Sequence, residues 1–221
     1  MMKQLIINGL VVTETRAAPA DVLIENGKIS GLLMPGALAD GVDEVIDAQG
    51  LIIVPGAIDV HTHFTGSHDF PEQELREGTR GAAAHGVTTI VEMPHSLPPA
   101  TSLANFTAKQ HWLAENSSVD YAMWAGLDGR NVHELAALDQ AGALAFKAFL
   151  CSGAPNGEAT DEKGLPRLDD DGLLRAMREL VTFDGLIGVH AENHDILIGA
   201  GSELRRAGRK DTRAHALAGP E

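Results

Sequence analysis

GAIDVHTHF, residues 56–64, closes the apolar run LIIVPGAIDV (51–60) with two histidines one residue apart. The run is rich in the β-branched residues that strands prefer. In a strand, residues i and i+2 share a face, so His61 and His63 can aim at one point only if this stretch is extended. Outward from it the pattern repeats. The helical run EQELREGTRGAAAHG (72–86) follows, then VTTIVEMP (87–94) with SLANFTAKQHWLAENS (102–117) and VDYAMWAGL (119–127) with NVHELAALDQAG (131–142). ALAFKAFL (143–150) precedes DDDGLLRAMRELVTFDG (169–185), and LIGVHAEN (186–193) precedes HDILIGAGSELRRAGR (194–209). Five apolar strands alternating with helices predict an α/β fold of parallel βα units with both sheet faces covered. A doubly wound sheet satisfies this pattern, as does a (β/α)₈ barrel. His61, His63, Glu92, Lys147 and His190 all fall near C-terminal strand ends, the face on which a barrel gathers its site. A full barrel takes eight units and about 250 residues, so residues 55–221 predict an incomplete one, with five units.

Residues 1–54 read differently. QLIINGLVVT (4–13), ADVLIENGKISGLL (20–33) and DEVIDAQGLIIV (43–54) are strand candidates punctuated by Asn-Gly, Pro-Gly and Gln-Gly turns, a small all-β layer. The chain carries 17 Lys+Arg against 31 Asp+Glu, a net charge of −14, which repels a phosphate backbone and argues against nucleic-acid binding. No stretch approaches the length of a membrane span. Cys151 is the one cysteine, which leaves no intrachain disulfide and no thiolate cluster and suits a reducing, cytoplasmic setting.

Lys147 is the odd member of ALAFKAFL: alternation turns it away from Phe146 and Ala148. A buried ammonium is expected to be paired, neutralised or modified. One route is an ion pair with Glu92. Another is reaction with carbon dioxide to a carbamate, a carboxylate-like anion able to bridge two metal ions. His190 follows an apolar strand and precedes Glu192 and Asn193, both suited to supporting contacts. Taken together, His61, His63, Lys147 and His190 offer nitrogen and oxygen ligands that suit zinc, with manganese, iron or cobalt as alternatives. His95, at the end of the second strand of the series, is placed to reach the mouth of such a site.

VPGAIDVHTHF, GTRGAAAHGVTTIVEMP, AFKAFL and VHAEN, in that order, resemble the metal-dependent cyclic amidohydrolases, the group of allantoinase, dihydroorotase, dihydropyrimidinase and hydantoinase. The resemblance implies a (β/α)₈ TIM barrel carrying a β-sandwich to which residues 1–54 contribute, with the first five barrel units in 55–221. It implies that His61 and His63 are first-strand ligands, Lys147 the carbamylated bridge between two zinc ions, and His190 a ligand of the second. A sixth-strand histidine and an eighth-strand aspartate complete that group's site and are not among these 221 residues, so hydrolysis by this chain alone is expected to be negligible.

The activity implied is metal-dependent cleavage of a cyclic ureide C–N bond, most nearly allantoin to allantoate. EMPHSLPPATS and AFLCSGAPNGE resemble the allantoinase form, whereas Thr65 stands where dihydroorotases place a substrate-gripping arginine. A hydantoinase, dihydropyrimidinase or dihydroorotase type, or a catalytically incomplete fragment, is the alternative. His95, Ser152, Gly153 and Asn193 are the candidate substrate contacts. The partner expected is a small cyclic ureide, and the open edges of a five-stranded sheet predict a homo-oligomer.

Overall fold

A computed structural model describes residues 2–37, 40–65, 71–96, 98–151 and 165–219. The chain divides into two compact units, Met1–Gly56 and Ala57–Glu221.

The first unit is a mixed sheet. It comprises β1 (Lys3–Val12), β2 (Ala17–Glu25), β3 (Lys28–Leu33), β4 (Glu44–Asp47) and β5 (Ile52–Ile53), in the order β3-β2-β1-β4 with β5 also on β1. β2 runs antiparallel to β1 and β3, while β4 and β5 lie parallel to β1. The expected strand 20–33 is therefore a hairpin. Glu25 pairs with Lys28, and the two residues between, Asn26 and Gly27, take φ of 54° and 74°, the left-handed pair that a tight two-residue turn requires. The same dipeptide at Asn8-Gly9 makes a bulge instead: Asn8 has φ 63° and the β1–β2 register shifts between Ile6 and Gly9. Gly9 must be small, since a Cβ there would lie 2.3 Å from the Ile53 side chain.

In the second unit β6 (Ala57–Thr62), β7 (Val87–Glu92), β8 (Asp120–Gly126), β9 (Ala143–Phe149) and β10 (Ile187–His190) form a parallel sheet in sequential order. Between and after them lie α1 (Pro71–Ala84), α2 (Leu103–Asn116), α3 (Leu135–Gln140), α4 (Asp170–Leu180), α5 (His194–Arg206) and α6 (Thr212–Ala218). Sequential order separates the two candidate architectures. A doubly wound sheet reverses direction and puts helices on both faces. Here every right-handed crossover advances the same way, which places the helices on one face. The unit is an open, incomplete parallel sheet, a half-barrel, and the expectation that both faces are covered is corrected accordingly.

The core lies under the helices. Leu75 of α1, Phe106 and Leu113 of α2, and Leu135 and Leu138 of α3 pack with Met123 and Ala125 of β8 and Phe146 and Ala148 of β9. Alternation turns Trp124 and Lys147 to the opposite, inner face. There Trp124 donates from Nε1 to the Val60 carbonyl at 3.2 Å, bracing β8 against β6. Its ring also lies so close to Gly188 of β10 that a Cβ on Gly188 would meet it at 2.7 Å. Among the described residues no helix is long and apolar enough to cross a membrane.

Candidate metal centre

The ends of β6, β9 and β10 bring the predicted residues to one place. His61 closes on His63 with ring centroids 5.0 Å apart, and His63 meets His95 edge-on at 4.5 Å. Phe149 bridges to the other side: its ring stacks on His190 at 5.3 Å, and Lys147 Nζ stands 5.0 Å from its centroid. His61, Lys147, His190, Glu192, Asn193 and Ile196 line one cleft of about 770 Å³.

Lys147 is 7% exposed, and burial holds its amine below the usual lysine range. Burial, followed by the charges of His63 and Lys147, likewise lowers His61. Neutral imidazole and neutral amine carry the lone pairs that bind metal ions or, for the amine, attack carbon dioxide.

Glu92 has a different task. It is 1% exposed and accepts from Thr62 Oγ1 at 2.7 Å, from Thr65 Oγ1 at 2.7 Å, and from the backbone N–H groups of Phe64 and Thr65 at 3.1 and 2.9 Å. The carboxylate thus pins the chain on both sides of His63. Thr65 Oγ1 continues to Ser96 Oγ at 2.6 Å, and Lys109 of α2 bonds both the Ser96 hydroxyl and, at 2.9 Å, its carbonyl. Lys109 is 8% exposed, and burial pulls its amine down to about 8 against the attraction of Glu92.

Sequence reasoning passed over Lys109. A lysine in an amphipathic helix reads as solvated, and only its distance from the strand end in three dimensions reveals the link. His95 sits beside this network, pushed down to about 4 by burial and then by His63 and Lys109, and its buried Nδ1 has no hydrogen-bond partner among the described residues.

The β9–β10 rim carries a second group that the sequence reading set aside. Cys151 Sγ donates to Glu192 Oε2 at 3.2 Å, and the same oxygen lies 2.5 Å from His190 Nε2. The ligand atoms of Cys151, His190 and Glu192 all lie within 4.8 Å of one another, a small cluster able to hold a metal ion. Burial, followed by the bond to Glu192, pushes the thiol up to about 11. A single cysteine excludes a thiolate cluster but not a mixed donor set. The available signal was spacing: Cys151 lies two residues beyond β9, and Glu192 two beyond His190. Asn193 is partly committed, since its side-chain oxygen caps α5 by accepting from Ile196 N at 3.1 Å. Ser152 and Gly153 lie outside the described residues.

The donor chemistry fits the metal that the sequence resemblance implies: imidazoles from two strands and a buried amine from a third face one cleft, the nitrogen-rich set that zinc and its neighbours accept. Sequentially ordered βα units with histidines and a buried lysine at their C-terminal strand ends define a barrel-type α/β unit. The chain belongs to the amidohydrolase family, which it matches over residues 52–212.

Among its relatives is an allantoinase of Streptomyces avermitilis, 36% identical over 184 residues, a match covering 83% of this chain and 40% of the relative. An L-hydantoinase of Paenarthrobacter aurescens is 28% identical over 223 residues, covering 100% and 46%. Among solved structures, the L-hydantoinase (dihydropyrimidinase) from Arthrobacter aurescens superposes with a TM-score of 0.88 at 28% identity, covering 100% of this chain and 47% of that one. The chain thus spans less than half the length of each of these relatives.

Proposed function

We propose that this chain supplies the first-strand, fourth-strand and fifth-strand side of an amidohydrolase site that opens a ring C–N bond of a cyclic ureide. The observation that carries the reading is the shared cleft of His61, Lys147 and His190, drawn from three strands. The names of the relatives divide between allantoinase and hydantoinase. Allantoin is a hydantoin bearing a ureido substituent, so both names point to one five-membered ring. The substrate class proposed is therefore the hydantoin-type ring, with dihydropyrimidines as neighbours, and allantoin is one member of it.

In this reading His61, His63 and His190 hold divalent ions, zinc foremost. Lys147 joins them as a carbamate, formed when the neutral amine adds to carbon dioxide and releases a proton. The ions, when bound, supply Lewis acidity and an acidified water. The overall change adds water across the ring amide: the carbonyl carbon gains oxygen, the C–N bond breaks, and the departing nitrogen takes a proton, leaving a linear ureido acid. Glu92 acts earlier, holding the residues around His63 so that both imidazoles keep their direction. His95, beside His63, and Asn193, in the cleft lining, are the proposed substrate contacts, with Ser152 and Gly153 retained from the sequence. The exposed apolar residues Ile58 and Val60 on edge strand β6 support self-association, and the single free cysteine supports a reducing, cytoplasmic setting.

The test supplies zinc, manganese or cobalt with bicarbonate and measures ureido-acid release from hydantoin, dihydrouracil and allantoin. Turnover abolished by Lys147→Ala supports the hydrolytic reading. Turnover unaffected by Lys147→Ala overturns the ligand assignment.

A further inference from the structure

We infer that Cys151, His190 and Glu192 form a mixed thiolate–imidazole–carboxylate site for a single soft divalent ion of the zinc class, separate in its donors from His61, His63 and Lys147. The argument begins with the number and kind of donors. One ligand atom from each of the three residues lies within 4.8 Å of the other two, and Glu192 Oε2 is shared between Cys151 Sγ and His190 Nε2 at 3.2 and 2.5 Å. In a tetrahedral site with bonds of about 2.0–2.3 Å, neighbouring donors stand roughly 3.3–3.7 Å apart. The sulfur–oxygen distance is already close to that range. The nitrogen–oxygen distance reaches it by a movement of about 1 Å in Glu192, whose side chain is 49% exposed.

The three donors gather beyond the ends of paired strands β9 and β10: His190 closes β10 in register with Phe149 of β9, and Cys151 and Glu192 each follow two residues on. His190 and Glu192, 44% and 49% exposed and both lining the open cleft, give an ion an entry path to the more buried Cys151. Three protein donors leave a fourth position for water or substrate, the pattern of zinc sites that are not sealed. The thiolate decides which ions enter. Sulfur favours zinc, cadmium and cobalt over magnesium, calcium and manganese, whereas a site of imidazoles and carboxylate alone discriminates poorly. Binding replaces the Cys151–Glu192 hydrogen bond: the thiol proton is released to solvent, and sulfur and oxygen both turn to the ion. His190 is the one residue common to this site and the hydrolytic one, so an ion held here draws that imidazole away from the HxH pair.

The test is a titration of the metal-stripped 221-residue chain with cadmium and with cobalt, read in the near ultraviolet where thiolate-to-metal charge transfer absorbs. The expected result is a band saturating at one ion per chain, displaced by zinc and unaffected by excess magnesium, and lost in Cys151→Ser. Glu192→Gln and His190→Ala should each weaken the apparent affinity at least about 10-fold. A His61→Ala/His63→Ala double variant removes two groups of the proposed hydrolytic site and should leave the band intact, so the two readings fail separately. Absence of a band in the parent chain overturns the proposal. So does a band of equal affinity in Glu192→Gln and His190→Ala, which would mark a lone reactive thiol.

Discussion

The two sides of the strand-end rim solve opposite problems. At the β6–β7 side, Glu92 is buried and spends both oxygens on Thr62, Phe64 and Thr65, fixing the chain around His63. At the β9–β10 side, Glu192 is half exposed and leans on His190 and Cys151, groups that chemistry can recruit. Two glutamates at the C-terminal rim of one sheet therefore do unlike work. A carboxylate that accepts four bonds inside a protein is a structural fixture, because any rearrangement strands its donors. One that faces water can exchange a hydrogen bond for a metal ion at little cost.

The largest expected effect breaks that comparison at its buried end. Glu92→Ala leaves two threonine hydroxyls and two backbone N–H groups without their acceptor and should lower unfolding free energy by about 3–5 kcal/mol. Glu192→Ala should change it by no more than about 1 kcal/mol, as befits an exposed pair. Urea denaturation of both variants is the measurement. Equal losses would show that the two rims are alike in stability and that the contrast drawn from burial is wrong.

The next effect concerns pH and Lys109. Its amine is lowered from 10.5 to about 8, chiefly by burial. Glu92 attracts it, His95 is the basic neighbour, and Ser96 supplies its hydrogen bonds. Between these two values the unfolded chain holds the proton and the folded one does not, so stability rises with pH across the window. Below about 8 both states are protonated and the full penalty of burying the charge applies. The contribution is on the order of 3 kcal/mol. It is isolated by comparing the parent chain with Lys109→Met, whose unfolding free energy should lack this rise between pH 8 and 10.5. Parallel pH profiles for the two proteins would mean that Lys109 is not desolvated.

How much of this was legible in the residues follows the same division. The HxH strand end, Lys147 and His190 could be read because alternation along a strand is a local rule, and each stands out against an apolar run. Sequential strand order was not legible, because every βα unit looks alike to its neighbours; the one-sided helix layer is a property of the crossovers. Within 1–54 the two Asn-Gly pairs had identical chemistry and different outcomes. At the bulge, Ile53, more than forty residues away in sequence, closes on Gly9, a contact no local rule announces. Glu92 was noticed as a strand-end residue, but its bonding to Thr62 and Thr65, and the reach of Lys109 from α2, depend on packing across β6, β7 and the helix.

The smallest expected effect sharpens the contrast within the open rim itself. Asn193 lines the cleft, yet its side-chain oxygen accepts from Ile196 N and starts α5. An N-cap is worth about 1 kcal/mol, and serine serves nearly as well as asparagine. Asn193→Ala should therefore lose about 1 kcal/mol in urea denaturation, while Asn193→Ser should stay within a few tenths. Serine keeps the cap and deletes the amide nitrogen, so it separates the residue's two possible duties. If ring opening is measurable and Asn193→Ser raises KM at unchanged stability, the amide also grips substrate. If both stability and KM are unchanged in serine, the residue's place in the cleft is a consequence of where α5 must begin. A loss in serine as large as in alanine would show that the cap is not what Asn193 contributes.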